Sequence, residues 1–300
     1  MSQDRISRRG FIKKSALLAG AAAGVPWYSA ACGAAKKISA SDLVPLGKTG
    51  RRISRLGFGT GSNGGEVQKS LGQNEFTRLI HYAYDHGITY IDTADNYGTH
   101  PLVCQAIKGL PRERLWIQSK MWWTPENLQN PLAALERYRK ELNTDYVDSL
   151  LIHCTMKSTW PQDVRPMMDA FDEAREKKLI LAKGMSCHGL PALRQAAQVD
   201  WAEVQLARVN PQGVHVDGED PEFGAPGQVD PAMKEIKAIH AKGRGVIGMK
   251  LIGNGDFKDP ADRRKAIQYA MTCGFVDAIV IGFASTAEID EAIQNIERSA

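Results

Sequence analysis

Eight short β-prone runs recur along this chain at a spacing of about thirty residues, the length that a strand and its covering helix need. They fall at residues 57–60, 88–92, 115–120, 147–153, 180–186, 202–206, 245–249 and 277–281. Helical patterns fill the gaps between them. Phe76, Leu79, Ile80 and Ala83 recur at i, i+3, i+4 and i+7, as do Ile289, Ala292, Ile293 and Ile296. Asp230-Pro231 and Asp259-Pro260 read as an N-cap followed by proline in the first helical position. Ser285-Thr286-Ala287-Glu288 reads as a capping box. Several runs, such as 147–152 and 278–281, are apolar throughout, which suits a parallel sheet buried on both faces. Eight βα units in one chain of 300 residues predict an α/β fold of the closed (β/α)8 TIM-barrel type. Ahead of them, residues 43–46 and 53–56 flank Gly47-Lys48-Thr49-Gly50 and read as a β-hairpin, expected to close the bottom of the barrel. The segment 208–229, rich in Gly, Pro and acids, is a long connection expected on the catalytic face.

Charge separates the first residues from the rest. The net charge is +4. Arg5, Arg8, Arg9, Lys13 and Lys14 against Asp4 account for all of it, so the body is balanced and offers no nucleic-acid footprint. Ser7-Arg8-Arg9-Gly10-Phe11-Ile12-Lys13 precedes a weakly apolar run at 16–25 and a small-residue stretch at 29–34. The order resembles a twin-arginine (Tat) signal peptide, here spanning residues 1–35, with the barrel occupying 41–300. The resemblance implies export of a folded protein by the Tat machinery to the periplasm or cell envelope. Cleavage near Ala31 or Ala34 releases a soluble protein. Ala30-Ala31-Cys32 resembles the end of a lipobox, so a lipoprotein anchored at Cys32 is the alternative.

In a barrel of this kind, residues at the C-terminal ends of the strands converge on one cavity. Asp92 ends the second strand, and Tyr97 follows in Asp92-Thr93-Ala94-Asp95-Asn96-Tyr97. Lys120 ends the third strand and His153 the fourth. Together they form a proton-transfer set. A free phenol ionises near pH 10, too high to act well at neutrality, and a neighbouring lysine lowers it. An aspartate keeps the lysine charged, and a histidine can hydrogen-bond a substrate oxygen.

These residues resemble the aldo-keto reductase family of NAD(P)-dependent (β/α)8 oxidoreductases, across roughly 41–297. Val44-Pro45-Leu46-Gly47-Lys48-Thr49-Gly50 and Leu56-Gly57-Phe58-Gly59-Thr60-Gly61 are similar to the family's opening. By that resemblance Tyr97 is the general acid/base, Lys120 tunes it, Asp92 supports Lys120 and His153 orients the carbonyl. The resemblance also implies a cofactor, NADP or NAD, held by Gly59, Thr60, Ser186, Gln205, Met249, Lys250, Leu251, Gly282 and Ser285. Cys187 stands where the family has an asparagine, and Met249 where it has a stacking tyrosine. Lys250 replaces a serine near the pyrophosphate. NADP-preferring members carry basic residues after the eighth strand, whereas this chain offers Ala284, Ser285, Glu288 and Asp290, with Ala292 nearby. Weak discrimination between NADH and NADPH is therefore expected. Trp122, Trp123 and Trp160 are expected to wall the substrate pocket.

Other motifs carry less. Gly59-Thr60-Gly61-Ser62-Asn63-Gly64 fits G-x-G-x-x-G, but a polar loop follows and the next helix is expected near Asn74, unlike a Rossmann turn. His153-Cys154 and Cys187-His188 suggest a metal site or a disulfide between the cysteines. Strand alternation argues against their convergence, and no metal is expected. The expected function is an exported oxidoreductase that interconverts a carbonyl (aldehyde, ketone or sugar) and its alcohol. The alternative is a dinucleotide-binding or sensing module with little turnover.

Overall fold

A computed structural model describes residues 37–220 and 227–299. The Tat motif, the signal-peptide span and Cys32 lie outside the described residues. Among the described residues there are ten strands. The first two, β1 (Leu43–Pro45) and β2 (Arg52–Ser54), pair antiparallel. The other eight are β3 (Leu56–Gly59), β4 (Tyr90–Asp92), β5 (Trp116–Met121), β6 (Val147–Thr155), β7 (Ile180–Cys187), β8 (Val204–Arg208), β9 (Gly245–Met249) and β10 (Ala278–Gly282). Each pairs in parallel with its sequence neighbour. The pairing of β10 with β3, Ile279 opposite Leu56 through Gly282 opposite Gly59, closes the ring. The expected (β/α)8 barrel is the observed fold.

Alternation along the strands builds two cores. Leu151, Ala182, Val204, Leu206, Ile247, Ala278 and Val280 point into the barrel with Tyr90 and Trp116. Leu150, Ile152, Met185, Ala207, Val246 and Ile279 point outward beneath the helices. The helix Gly72–Asp85 buries the predicted set Phe76, Leu79, Ile80 and Ala83. The last helix, Thr286–Glu297, buries Ile289, Ala292 and Ile296, with Ile293 half-buried. Each fully buried side chain of this size contributes about 1.5–3 kcal/mol.

The hairpin caps the N-terminal end. Val44, Leu46 and Ile53 belong to the interior core, and Lys48 N donates to Gly243 O at 2.7 Å. Gly47 makes this fit. Its φ is +51°, and a Cβ there would sit 2.2 Å from Gly245 N.

Local signals fared unevenly. Asp259 caps its helix through Ala261 N, as expected. Ser285 accepts from Glu288 N at 3.3 Å, but the Glu288 carboxylate reaches Ala284 N instead of Ser285 N. Asp230 is not a cap, because its helix begins at Val229 and Asp230 lies in the first turn. A five-residue helix, Glu66–Ser70, follows the 59–65 glycine run directly, ahead of the helix at Gly72. The described part of the segment after β8 packs on the segment after β9. Asn210 Nδ2 donates to Lys250 O at 3.2 Å, and His215 Nε2 meets Asp256 Oδ2 at 2.9 Å.

Candidate active site

The four strand-end residues meet at the C-terminal mouth of the barrel and line one cavity of about 490 Å³. Lys120 is buried, and its Nζ donates to Asp92 Oδ2 at 2.7 Å and Thr93 O at 2.9 Å. The same ammonium lies 3.4 Å from the Tyr97 hydroxyl. His153 Nε2 lies 3.4 Å from that hydroxyl on another side. Behind Asp92, Gln118 Nε2 donates to Asp92 Oδ1 at 2.8 Å, and Gln118 Oε1 accepts from Ser149 Oγ at 2.9 Å. This buried chain fixes the carboxylate, which fixes the lysine.

The local electrostatics set protonation. Burial raises the Tyr97 phenol above its ordinary value, outweighing the lowering effect of Lys120. This differs from the expectation that the lysine would win. Burial pulls the Lys120 ammonium down, yet Asp92 and Tyr97 together hold it above its usual value. Burial holds His153 well below the ordinary imidazole range, with Lys120 and Lys250 adding to the effect. The resting site thus holds a neutral phenol, a charged lysine and a neutral imidazole. His153 Nδ1 has no hydrogen-bond partner among the described residues.

Turns around the tetrad hold Tyr97 in place. Gly61 lies against its ring, where a Cβ would come within 2.4 Å of Tyr97 Cε2. Asp95 accepts from Tyr138 Oη at 2.6 Å, Trp122 N at 3.1 Å and Asn127 Nδ2 at 3.1 Å, tying the Tyr97 turn to the end of β5. Thr60, Thr99 and Thr93 form a buried hydroxyl chain, with Oγ1 separations of 2.8 and 2.9 Å.

The other expected residues divide. Gly59, Met249, Lys250, Leu251 and Gly282 line the cavity, as does Trp122, whose indole packs edge-on against His153 at 5.0 Å. Thr60 serves the hydroxyl chain. The Ser186 hydroxyl accepts from Cys154 N at 2.9 Å. Ser285 caps the last helix. Gln205 is corrected: it lies between the inward Val204 and Leu206, so alternation turns it to the outer layer. There its Oε1 accepts from Arg244 Nη1 at 3.4 Å. Cys187 likewise faces the outer core, beside Thr155 Oγ1 at 3.5 Å. Trp160 is also corrected: only 3% exposed, it belongs to the outer core, and Trp123 packs against that same core. Asp290 accepts from Tyr82 Oη at 2.8 Å, facing a neighbouring helix.

Three arrangements at or beside the cavity were not read from the sequence. His188 lines the wall, because it is the next inward position after Ser186. Cys154 adopts φ +59° at a register shift between β6 and β7, which brings its Sγ to 3.2 Å from His188 Nδ1. Strand alternation alone had argued against such a meeting. Cys154 and Cys187 are both free, and among the described residues no group of His, Cys, Asp and Glu is arranged to hold a metal ion. At the outer end of the cavity, Arg263 pairs with Glu291 through 2.7 and 2.8 Å contacts.

The shape fits an elongated ligand. The wall runs from the tetrad along the ends of β3, β9 and β10 to Ala284 in the loop after β10 and to Glu288, Glu291 and Ala292 of the last helix. A Cβ on Gly282 would meet Ser62 Oγ at 2.0 Å and Gly59 O at 3.2 Å, so glycine there lets the Ser62 side chain pack against the end of β10. A cavity of this volume and form suits a dinucleotide cofactor.

The sequence pattern of the Aldo/keto reductase family matches residues 55–296. The chain belongs to that family. It is similar to the 9,11-endoperoxide prostaglandin H2 reductase of Trypanosoma cruzi, 31% identical over 139 residues, covering 45% of this chain and 44% of that protein. It is also similar to the aldehyde reductase YPR1 of Saccharomyces cerevisiae, 37% identical over 115 residues, covering 38% of this chain and 32% of that protein. The matched stretches thus span less than half the length of these relatives. In fold it resembles the holo form of the aldo-keto reductase AKR11C1 from Bacillus halodurans, with a TM-score of 0.66 and 19% identity, covering 84% of this chain and 89% of that one.

Proposed function

We propose that this chain is a nicotinamide-dependent oxidoreductase that interconverts a small carbonyl compound and its alcohol. The observation that carries this is the Tyr97 hydroxyl, held 3.4 Å from both Lys120 Nζ and His153 Nε2 at the floor of an elongated cavity. A bound nicotinamide dinucleotide supplies the hydride. Neutral His153, with its proton on Nε2, hydrogen-bonds the substrate oxygen. Tyr97, kept protonated by burial, delivers its proton to that oxygen. Lys120 stabilises the phenolate left behind, and Asp92 keeps Lys120 charged and aimed. Trp122 closes one side of the substrate space. Gly59, Met249, Leu251 and Gly282 are the residues that would hold the dinucleotide.

The outer end of the cavity offers a 2′-phosphate little beyond Lys258. The Glu288 carboxylate already occupies Ala284 N at 2.7 Å, and Arg263 is taken by Glu291. We therefore propose comparable affinities for NADH and NADPH, with NADH the more natural cofactor. The arginine motif at Arg8-Arg9 supports export of the folded protein by the Tat route, with residues 1–35 as signal and 41–300 as barrel, to the periplasm or envelope. Lipidation at Cys32 is the variant of that proposal.

The test is fluorescence titration of protein purified from the periplasm with NADH and NADPH, followed by reduction of an aldehyde panel. Dissociation constants within about tenfold of each other and Tyr97-dependent turnover support the proposal. A much tighter NADPH site contradicts the cofactor reading. Dinucleotide binding without any turnover favours the sensing module.

A further inference from the structure

The proposed reduction leaves Lys250 unexplained. It lines the cavity at the end of β9 and has no ion pair among the described residues. Three acids on that side are already engaged. Asp92 is taken by Lys120 at 2.7 Å, Asp217 by Arg208 at 2.6 Å, and Asp256 by His215 at 2.9 Å. Lys250 is therefore a cation of the cavity wall without an ion pair among the described residues, as is Lys258, whose carbonyl accepts from Arg263.

The Lys250 backbone adopts an uncommon conformation. Its φ is +58°, a left-handed conformation that side-chain-bearing residues seldom adopt. Buried Asn210 donates to the Lys250 carbonyl at 3.2 Å, and Gly253 N donates to it at 3.0 Å, so the conformation is fixed from two sides. The ammonium acts on the tetrad side of the cavity. Its charge adds to the burial that keeps His153 and His188 below the ordinary imidazole range. Burial, with Arg208 and Lys120 adding to it, brings Lys250 itself down to about 8 against the opposing pull of Cys154 and Asp256, so it stays mostly charged at neutral pH. His188 lines the same cavity, its ring centred 6.2 Å from that of His153.

We infer that Lys250 and His188 form an anion subsite beside Tyr97 and His153, and that the carbonyl substrate carries a carboxylate or phosphate a few bonds from its reacting carbon. The inference rests on the proposed reduction. It names the substrate class as oxo acids and acidic sugars, and moves Lys250 from the cofactor to the substrate. The Lys250 ammonium attracts the anion, and His188 supplies a hydrogen bond. The 6.2 Å between the two imidazoles matches a short spacer between carbonyl and anion. The dinucleotide's own phosphates are the other source of such an anion.

Steady-state kinetics with succinic semialdehyde and with butanal, its uncharged counterpart, compare the two sources when NADH affinity is measured in parallel by tryptophan fluorescence. The wild type is expected to favour the acid by about tenfold or more in kcat/KM, the usual worth of a charged hydrogen bond. Lys250→Met is expected to abolish that preference, Lys250→Arg to keep most of it, and the NADH dissociation constant to move less than about threefold. No acid preference in the wild type overturns the inference. So does a Lys250→Met variant that weakens NADH about tenfold while the acid-to-neutral ratio stands, because the charge then serves the cofactor. If no dinucleotide binds and no carbonyl is reduced, the proposed reduction fails. Calorimetry with succinate then reads the subsite alone: binding lost in Lys250→Met supports it, and no binding overturns it.

Discussion

Asp92→Asn separates the structural from the chemical work of the tetrad. The Lys120 side chain is 1% exposed and the Asp92 side chain 7%, so their ion pair is desolvated. Asparagine keeps the oxygen that accepts from Gln118 but removes the charge facing Lys120 Nζ at 2.7 Å. What remains is a buried ammonium with Thr93 O at 2.9 Å and no carboxylate. Breaking a buried pair in this way costs about 3–5 kcal/mol. For a chain of this size each kcal/mol lowers the melting temperature by about 2–4 °C, so a fall of about 10 °C is expected. Removing both charges in Asp92→Asn/Lys120→Met removes the uncompensated ion and restores most of the stability, while turnover stays lost. Urea unfolding followed by circular dichroism measures each free energy. A cost below about 1 kcal/mol for Asp92→Asn would refute the reasoning, as would a double variant less stable than the single one.

Other outcomes follow from the same geometry. Gly61→Ala places a methyl against the Tyr97 ring without backbone strain, so kcat should fall about a hundredfold while the melting temperature barely moves; kinetics beside thermal scans check this. Burial pushes the Cys154 and Cys187 thiols up to about 12, so neither should react with iodoacetamide at neutral pH until the protein unfolds, a result read by mass spectrometry with and without urea. Burial raises Asp217 from 3.8 to about 6, so the folded state keeps a proton that the unfolded chain releases in that interval. Its contribution to stability is present below pH about 4 and is lost as the pH rises through about 6. Asp217→Asn should lack that decline when unfolding free energies are compared across the window.

The barrel, and the placement of Asp92 and His153 at the cavity, were legible because each of these two residues ends an apolar run. Asp92 follows Tyr90-Ile91, and His153 follows Leu150-Leu151-Ile152. A polar group in that place has only the cavity to face. Gln205 and Cys187 were harder to place. Both faces of a parallel strand are buried here, so apolar neighbours do not reveal which face is inward. Counting from Val204 and Leu206 gives the outward direction only once the inner core is known. Cys154 was hidden by the shift in register after Ile152, which breaks the period-two rule at the point where it was applied. Trp123 and Trp160 sit in loops whose packing no periodicity encodes, and Arg263 reaches Glu291 across 28 residues of sequence. At the outer end of the cavity the sequence reading named Ala284, Glu288 and Ala292, which line it, but also Asp290, which turns away, and it missed Glu291.

Single-turnover reduction of an aldehyde by NADH-loaded protein, wild type against Tyr97→Phe, tests the central claim most directly. Loss of the proton donor should slow nicotinamide oxidation by about a hundredfold to ten-thousandfold while the NADH dissociation constant stays the same. Equal rates in the two proteins would show that the Tyr97 hydroxyl, for all its placement between Lys120 and His153, does not carry the proton.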